Sequence, residues 1–414
     1  MRTTVNQDRI LTSIEDYAAI GATDGGGVTR LALSDDDRRV RERFADDVSD
    51  AGLMLRVDDF GNMVARRQGS GNLAPIQIGS HLDTVLRGGR FDGALGVLGG
   101  LEVIRALNDA GATIRHSIEL INWTNEEGVR FEPAMMGSGV ACGVFDHSWA
   151  CDRSDRSDAR LGDELRRIGY DGERDNRPQP GAAYLELHVE QGPVLDDANT
   201  PIGIVEGIVG ITWINVRIAG QADHAGPSPM ALRHDALAAA ADIILLVEWL
   251  ASNSGPPVVG TVGRLDLEPN TINTIPGKVE MSVDFRHPDA DGLERLVDQL
   301  TESADEIARR RGVDIDLERF WTSPPTAFDE RIVEAVTQAA DAVGTQSRRL
   351  WSGAGHDAKY ATELTPTGMI FVRSRGGLSH CEQEFSDPDD IVAGVATLLR
   401  TVVALDASLD PNIT

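Results

Sequence analysis

The chain has 414 residues, of which 41% are hydrophobic and 25% charged, and this length exceeds what one ordinary core accommodates. Its formal net charge of −27 argues against nucleic acid or an anionic membrane as a partner. Of its 39 basic residues, only Lys278 and Lys359 are lysines. The acidity is compatible with high solubility alone, but we favour adaptation to a high-salt cytoplasm, where salt screens the repulsion between carboxylates.

The sequence contains no recognisable targeting signal or membrane span. Residues 1–21 are polar and predict an amphipathic helix without the apolar centre of a signal peptide. The two most apolar windows, residues 236–251 and 391–407, carry charged residues and are predicted to be too short to cross a bilayer. The three cysteines form no CxxC pair, which indicates reduced thiols and a cytoplasmic location.

The first third of the chain predicts an α/β sheet. Residues 1–70 indicate helices that lead into a pair of strands, with a turn at Gly61-Asn62. From Ile76 onward the pattern is a strand (IQIGSHLD), a helix (GALGVLGGLEVIRALNDAG) and a second strand (SIELINWTN). Such alternation is typical of α/β sheets, which place ligands at the ends of their strands.

A second unit is predicted at residues 210–325. Its segments alternate in the order β-α-β-β-α-β, which is the order of a ferredoxin-like split βαβ module. After residue 325 the pattern of the first sheet resumes, with a final helix near the C-terminus. We therefore expect a discontinuous domain of residues 1–209 and 326–414, interrupted by a smaller α+β domain.

The sequence SHLDTVLRGGRFDGALG contains three candidate site residues. Residues two apart in a strand face the same side, so Asp83 can accept the second ring proton of His81 and leave its other nitrogen for a metal. Asp92 lies in a glycine-rich loop before a helix, where a metal ligand and a helix N-cap are alternative interpretations.

Three further donors follow predicted strands. Glu126 and Glu127 are adjacent carboxylates that would repel each other without a cation or a proton, although a solvated acidic turn is the alternative. His188 follows the apolar run AAYLEL, and His380 lies in GGLSHCEQE. A single metal ion in a hydrolase rarely binds five protein side chains. Two metal ions that share one carboxylate would bind three side chains each and so use all five donors: His81, Asp92, Glu127, His188 and His380. Four other histidines lack acidic neighbours at a spacing that suggests a site, and they are interpreted as surface, helix or turn residues: His116, His147, His234 and His287.

The ordered set of motifs resembles one branch of the dinuclear zinc-peptidase superfamily, the amidase/hydantoinase-carbamoylase branch. It includes N-carbamoyl-L-amino-acid hydrolases, allantoate amidohydrolases and β-ureidopropionases. The resemblance covers nearly the whole chain and implies a zinc-aminopeptidase-like catalytic domain with an inserted lid and dimerisation domain, in a homodimer. The motifs are SHLDTV, GRFDGALG, NEEGVRF, LHVEQGPVL, GQADHAGPSPM, NTIPGKVEMSVDFR, SGAGHDA and GLSHCEQE.

The resemblance implies two divalent metal ions per subunit, and the sequence does not choose among Zn, Mn and Co. Glu126 would be the general base and Asp83 would orient His81. Asp92 would bridge the two ions. One ion would be held by His81, Asp92 and His188, and the other by Asp92, Glu127 and His380.

The resemblance also implies residues that hold the substrate. His224 would reach the active site of a neighbouring subunit and polarise the scissile carbonyl, while Asn273 and Arg286 would grip a substrate carboxylate. Gln191 and His356 match positions near the substrate. Without the resemblance, the favoured interpretation of His224 is a cap of the turn before Gly226-Pro227, and that of Arg286 is a surface charge on a strand.

The implied activity is hydrolysis of the carbamoyl C–N bond in a small ureido acid. One alternative is an aminopeptidase or N-acyl amino acid deacylase of the same superfamily, and another is a non-catalytic binding protein with the same fold. His188 argues against the first, because many peptidase relatives have a carboxylate at that ligand position. The presence of every ligand and of Glu126 argues against the second.

Overall fold

The computed structural model describes residues 3–409, and helices alternate with strands over the first half of the chain. The predicted strand pair is present, but the turn that joins the two antiparallel strands is centred on Asp59 and Phe60, just before the predicted Gly61-Asn62, and is closed by a hydrogen bond from Gly61 N–H to the Asp58 carbonyl at 3.1 Å. The strands are β1 (Met54–Val57), β2 (Met63–Arg67), β3 (Ile76–His81), β4 (Ile118–Trp123), β5 (Ala183–Val189) and β6 (Ile202–Ile208). The helices are α1 (Gln7–Ala18), α2 (Asp35–Asp50), α3 (Ala94–Asp109), α4 (Met136–Ala141), α5 (His147–Cys151), α6 (Leu161–Ile168) and α7 (Val194–Asp197).

The next part of the chain forms a four-stranded antiparallel sheet in the order β12-β7-β11-β9. Alternate residues of β7, such as Ile214 and Val216, are buried in a common core with the two long helices. Apart from the two-residue strands β8 and β10, which pair with each other, the elements follow one another in the β-α-β-β-α-β order expected from the sequence. They are β7 (Gly210–Ala219), β8 (Asp223–His224), α8 (Ala236–Ser254), β9 (Val259–Glu268), β10 (Thr274–Ile275), β11 (Lys278–His287), α9 (Ala290–Arg311) and β12 (Asp314–Ser323).

The last part of the chain completes the first sheet. Its elements are β13 (Thr326–Ala327), α10 (Glu330–Val343), β14 (Ser347–Ser352), α11 (Ala358–Ala361), β15 (Thr367–Val372) and α12 (Pro388–Ser408). The nine-stranded sheet has the order β1-β2-β4-β3-β5-β15-β6-β13, and β14 also pairs with β6. Its centre is parallel, since β4, β3, β5 and β15 run in one direction. The predicted α/β class is confirmed.

The chain divides into two compact units. One comprises the described residues up to Glu206 and from Phe328 onward, and the other comprises Gly207–Ala327. The first contains the parallel strands and the second contains the four-stranded sheet with helices α8 and α9.

The two most apolar helices are longer than the sequence suggested. The expectation that they are too short to cross a membrane is wrong in this respect, because α8 has 19 residues and α12 has 21, enough to span one by length and composition. Each nevertheless buries one side in its own unit, α8 through residues such as Ile243 and Val247, and α12 through residues such as Leu398 and Val402. This burial is what a core helix of a globular domain shows.

Helix α3 lies very close to the central strands. A Cβ atom added to Gly96 would overlap the carbonyl oxygen of Leu187 and lie 2.6 Å from Cβ of Ser80. One added to Gly100 would lie 2.6 Å from Leu120 and 2.8 Å from Ile78. The glycines therefore let the helix backbone approach the sheet, and this approach fixes the position of the loop that precedes α3.

We predict that Gly96→Ala lowers the free energy of unfolding by about 1–3 kcal/mol, because the added methyl group has no space beside Leu187. Urea unfolding would measure the change. Gly353→Ala is a matched control in the same unit, since a Cβ there meets no described atom within 4 Å, and it should change the stability by less than about 0.5 kcal/mol. Equal effects of the two substitutions would contradict the close packing of α3.

Candidate metal centre

The five candidate ligands are brought together at one edge of the central sheet. His81 is the last residue of β3, His188 lies near the end of β5, and Glu127 and His380 follow β4 and β15. Because these four strands are parallel, their carboxyl ends meet at the same edge, and Asp92 lies there in the loop before α3. This is the edge at which open α/β sheets bind ligands.

Asp92 lies at the centre of the cluster and uses its two oxygens in different directions. Its Oδ1 is 3.6 Å from Nε2 of His81 and 3.2 Å from Nε2 of His188. Its Oδ2 is 3.4 Å from Nε2 of His380, which in turn lies 3.5 Å from Oε2 of Glu127. The donors thus form two groups, and Asp92 belongs to both.

Within each group the ligand atoms lie within 4.8 Å of one another. One group is His81, Asp92 and His188, and the other is Asp92, Glu127 and His380. These are the two sets of three that the sequence resemblance implies.

The two buried histidines present their Nε2 atoms to a carboxylate. Nδ1 of His81 is 2.9 Å from the carbonyl oxygen of Asp83, and Nδ1 of His188 is 2.9 Å from that of Val189. Since a carbonyl can only accept, Nδ1 carries the proton in the neutral imidazole and Nε2 directs a lone pair toward Asp92. A lone pair that faces a carboxylate is stabilised by a positive charge between the two groups, either a proton or a metal ion.

Two further observations show that these residues fit divalent cations. Burial lowers the pKa of His188, but hydrogen bonding and charge attraction from Asp92 outweigh it and raise that pKa to about 9, so the pair attracts positive charge. Oε1 of Glu127 is buried and has no hydrogen-bond partner among the described residues. Imidazole nitrogens and carboxylate oxygens are the ligands that Zn²⁺ and similar metals take in hydrolases.

Glu126 lies beside the first group but outside the bridging arrangement. Its Oε2 is 3.6 Å from Nε2 of His81. Burial, followed by the negative charges of Asp357 and Glu127, raises the pKa of Glu126 well above its usual value. A buried carboxyl group whose pKa is raised by its surroundings is a candidate general acid–base group.

Asp83 contacts His81 in a different way from the one expected. The ring of His81 bonds to the main-chain carbonyl of Asp83, while the Asp83 carboxylate is 3.9 Å from Nδ1. That carboxylate instead accepts hydrogen bonds from the main-chain N–H groups of Glu126, at 3.2 Å, and of Glu127, at 3.3 Å. Asp83 therefore positions the two glutamates as well as the histidine.

Asp92 does not cap helix α3 with its side chain. The N-cap residue is Gly93, whose φ of 64° is in the left-handed region, and no side chain makes a capping hydrogen bond. A Cβ at Gly93 would overlap the ring of His81, and its N–H lies 3.2 Å from Nε2 of His188. Glycine is required here because the backbone has a left-handed conformation and a side chain would collide with the His81 ring.

The two candidate substrate residues of this unit lie at different depths. Gln191 donates a hydrogen bond from Nε2 to Oδ2 of Asp92 at 2.9 Å, so it lies within the cluster. His356 is buried behind His188, with ring centroids 4.5 Å apart, and its Nε2 is 3.1 Å from the hydroxyl of Ser352. It supports His188 from behind.

The sequence analysis missed two buried glutamates that support the cluster. Glu186 accepts hydrogen bonds from Ser80 Oγ at 3.1 Å and from the N–H of Ala358 at 2.9 Å. Glu384 accepts hydrogen bonds from the N–H groups of the Asp92 loop. A charged residue in an apolar strand two positions before His188 was the available signal for Glu186. Glu384 follows His380 in a polar segment and carried no such signal.

The smaller unit brings two of its three candidate residues together. His224 pairs with Thr274 across the ribbon of β8 and β10, and the main-chain carbonyl of Asn273 accepts from Ala225 N–H at 3.0 Å. Nδ1 of His224 accepts the Gly226 N–H at 3.0 Å, as the turn-cap interpretation expected, and this bond leaves Nε2 for another partner. Arg286 lies on β11, where it donates to the carboxylate of Asp284 at 3.0 and 3.3 Å.

Comparison with known proteins adds to this geometry. Residues 78–404 match the family described as Peptidase family M20/M25/M40. The chain is 41% identical over 400 residues to an N-carbamoyl-L-amino-acid amidohydrolase of Rhizobium meliloti, covering 96% of each protein. It is 38% identical to the N-carbamoyl-L-amino acid amidohydrolase of Geobacillus stearothermophilus, covering 96% of this chain and 98% of that one. A solved amidase of the hydantoinase/carbamoylase family from Burkholderia multivorans superimposes with a TM-score of 0.96 at 42% identity, covering 99% and 100% of the two chains.

We predict that Asp83→Ala lowers the free energy of unfolding by about 1–3 kcal/mol for each main-chain N–H that it leaves without an acceptor. Asp83→Asn retains one acceptor oxygen for Glu126 or Glu127 and should lose clearly less. Urea unfolding of the two variants beside the wild type would measure the difference. If both substitutions cost the same, the charge of Asp83, and not its hydrogen bonds, would be what the fold needs.

Proposed function

Because the chain belongs to Peptidase family M20/M25/M40, we propose that it is a metal-dependent amidohydrolase that cleaves the carbamoyl C–N bond of N-carbamoyl-L-amino acids or related ureido acids. One observation carries the proposal: a carboxylate shared by two groups of metal ligands, with the buried acid Glu126 beside them. The identity of 41% to an N-carbamoyl-L-amino-acid amidohydrolase supports this substrate class over peptides.

The proposed cofactor is a pair of divalent ions, Zn, Mn or Co. His81, Asp92 and His188 would hold one ion, and Asp92, Glu127 and His380 the other. When bound, such ions lower the pKa of a water molecule and polarise a carbonyl oxygen. The buried and unpartnered Oε1 of Glu127 supports a ligand role for that residue.

Glu126 would move the proton in the reaction. Its carboxylate takes a proton from the attacking water as the new C–O bond forms at the carbamoyl carbon. It then returns that proton to the nitrogen of the amino acid as the C–N bond breaks. An N-carbamoyl amino acid and one water thus yield the amino acid and carbamic acid, which decomposes to ammonia and carbon dioxide.

The smaller unit would supply the groups that hold the substrate in a homodimer. His224 of one subunit would donate to the carbonyl oxygen in the active site of its neighbour, where a negative charge develops. Asn273 and Arg286 would bind the substrate carboxylate, and the guanidinium of Arg286 already makes a forked contact with the carboxylate of Asp284. Gln191 would line the site near the substrate, whereas His356, which is buried behind His188, would act through that residue. A cytoplasmic location agrees with the three free cysteines.

A substrate panel tests the proposed activity. We expect the metal-loaded protein to release ammonia from N-carbamoyl-L-amino acids and to leave N-acetyl amino acids and dipeptides intact. Allantoate, β-ureidopropionate and ureidoglycolate belong in the same panel, because faster turnover of one of them would assign the chain to a different ureido acid. Chelation should abolish the activity and a divalent ion should restore it. Turnover of dipeptides alone would contradict the proposal.

We predict that Glu126→Gln lowers kcat by at least about 100-fold, because an amide cannot take the proton from water. The metal content, measured by elemental analysis after gel filtration, should stay at the wild-type value, since Glu126 belongs to neither of the two proposed ligand sets. Glu119→Gln is a matched control, because Glu119 is a buried carboxylate at the opposite end of β4, bound to Arg56 and Arg66. A Glu126→Gln enzyme with near wild-type turnover would refute the assignment of the base.

A further inference from the structure

Glu384 connects the bridging carboxylate to the segment that carries His380. It is a buried side chain in the polar segment that follows β15, and it belongs to neither group of metal ligands. Its Oε1 accepts hydrogen bonds from the N–H groups of Phe91, at 3.2 Å, and of Asp92, at 3.1 Å. One carboxylate oxygen therefore holds the main chain of the loop from which Asp92 extends.

The second oxygen of Glu384 holds the neighbour of His380. Oε2 accepts a hydrogen bond from the hydroxyl of Ser379 at 2.7 Å, and the same hydroxyl lies 3.3 Å from Oδ2 of Asp92. This is the Asp92 oxygen that faces His380. The contacts of Glu384 thus converge on the second group of ligands from two sides.

The chain leaves space for this carboxylate. A Cβ at Gly89 would overlap the carboxylate of Glu384, so this glycine lets the loop before Asp92 pack against that carboxylate. A buried carboxylate with three hydrogen bonds is held in one orientation, because each bond that it lost would leave a buried polar group without a partner.

The second group of ligands depends on such support more than the first does. His81 and His188 belong to central strands and are almost completely buried, and both rings are fixed by main-chain carbonyls. His380 instead lies outside the strands, has a φ of 53°, and its side chain is 53% exposed. Its position is therefore set by the contacts of its own segment.

We propose that Glu384 is a positioning residue that holds Asp92 and His380 at metal-binding separation and so determines the affinity of the second metal position. The inference rests on the proposed two-metal function and assigns no chemical step to Glu384. Groups that orient metal ligands typically change metal affinity by about 10–100-fold when they are removed. The decrease in affinity should affect the ion held by Asp92, Glu127 and His380.

Calorimetric titration of the metal-stripped full-length protein with Mn²⁺ or Zn²⁺ tests the proposal. We expect the wild type to bind two ions per chain. Glu384→Ala should bind the first ion with near wild-type affinity and the second about 10–100-fold more weakly. Glu384→Gln keeps an oxygen for the N–H groups of Phe91 and Asp92 and should recover most of the affinity. Glu119→Gln, which removes a buried carboxylate at the far end of β4, should leave both affinities unchanged.

Several outcomes would overturn the proposal. Unchanged affinity for the second ion in Glu384→Ala, or equal weakening of both ions, would show that Glu384 does not position this group. A Glu384→Gln protein as weak as Glu384→Ala would assign the effect to charge and not to positioning. If Glu384→Ala does not fold, Ser379→Ala decides, since it removes the hydroxyl that joins Glu384 to the His380 segment and to Oδ2 of Asp92 but keeps the bonds of Glu384 to the Asp92 loop, and it should weaken the binding of the second ion.

The same titration separates this inference from the proposed function. A wild type that binds two ions but hydrolyses no ureido acid would refute the proposed substrate. The metal affinities of the Glu384 variants would then still decide the role of Glu384. A wild type that binds fewer than two ions would refute both.

Discussion

The site depends on one carboxylate, that of Asp92, which faces three imidazoles at distances from 3.2 to 3.6 Å. Its two oxygens point to different groups of ligands, so a small movement of Asp92 would change both at once. Much of the surrounding structure restrains it: helix α3 lies tightly on the strands, Gly93 lies against the His81 ring, and Glu384 accepts hydrogen bonds from its main chain. The close packing of α3 is thus part of the construction of the site.

The cluster concentrates negative charge where burial opposes it. Burial raises the pKa of Asp83, Glu186 and Glu384 to about 7 each, and that of Glu126 and Glu127 well above the usual value. A fold that maintains so many acids in its interior loses stability unless positive charge enters. Cations bound at Asp92 would supply that charge. The buried acids that lower the stability of the fold would therefore also give it affinity for metal ions.

The sequence predicted that these donors would lie together, because strand ends can be recognised from hydrophobic patterns. His81, Glu127 and His188 each end or follow an apolar run, and the parallel order of the strands brings them together. The resemblance to the hydantoinase/carbamoylase amidases is confirmed by similarity over nearly the whole chain. What the sequence could not show were contacts made through the main chain. The carbonyl of Asp83 binds His81, and Glu384 binds the N–H of Asp92, and neither pairing leaves a pattern in residue types.

The two proposed metal positions differ in construction, and this difference has a chemical consequence. The first is made of groups on buried strands, whereas the second includes His380, a half-exposed residue with a left-handed backbone conformation. Ligands on rigid strands lose little conformational entropy when a metal binds, while an exposed side chain must first be ordered. The second position should therefore bind its ion more weakly, and hydrolysis that needs both ions would follow the occupancy of that position. The hydrogen bonds of Glu384 and Ser379 reduce this cost, because they order the segment before the metal arrives.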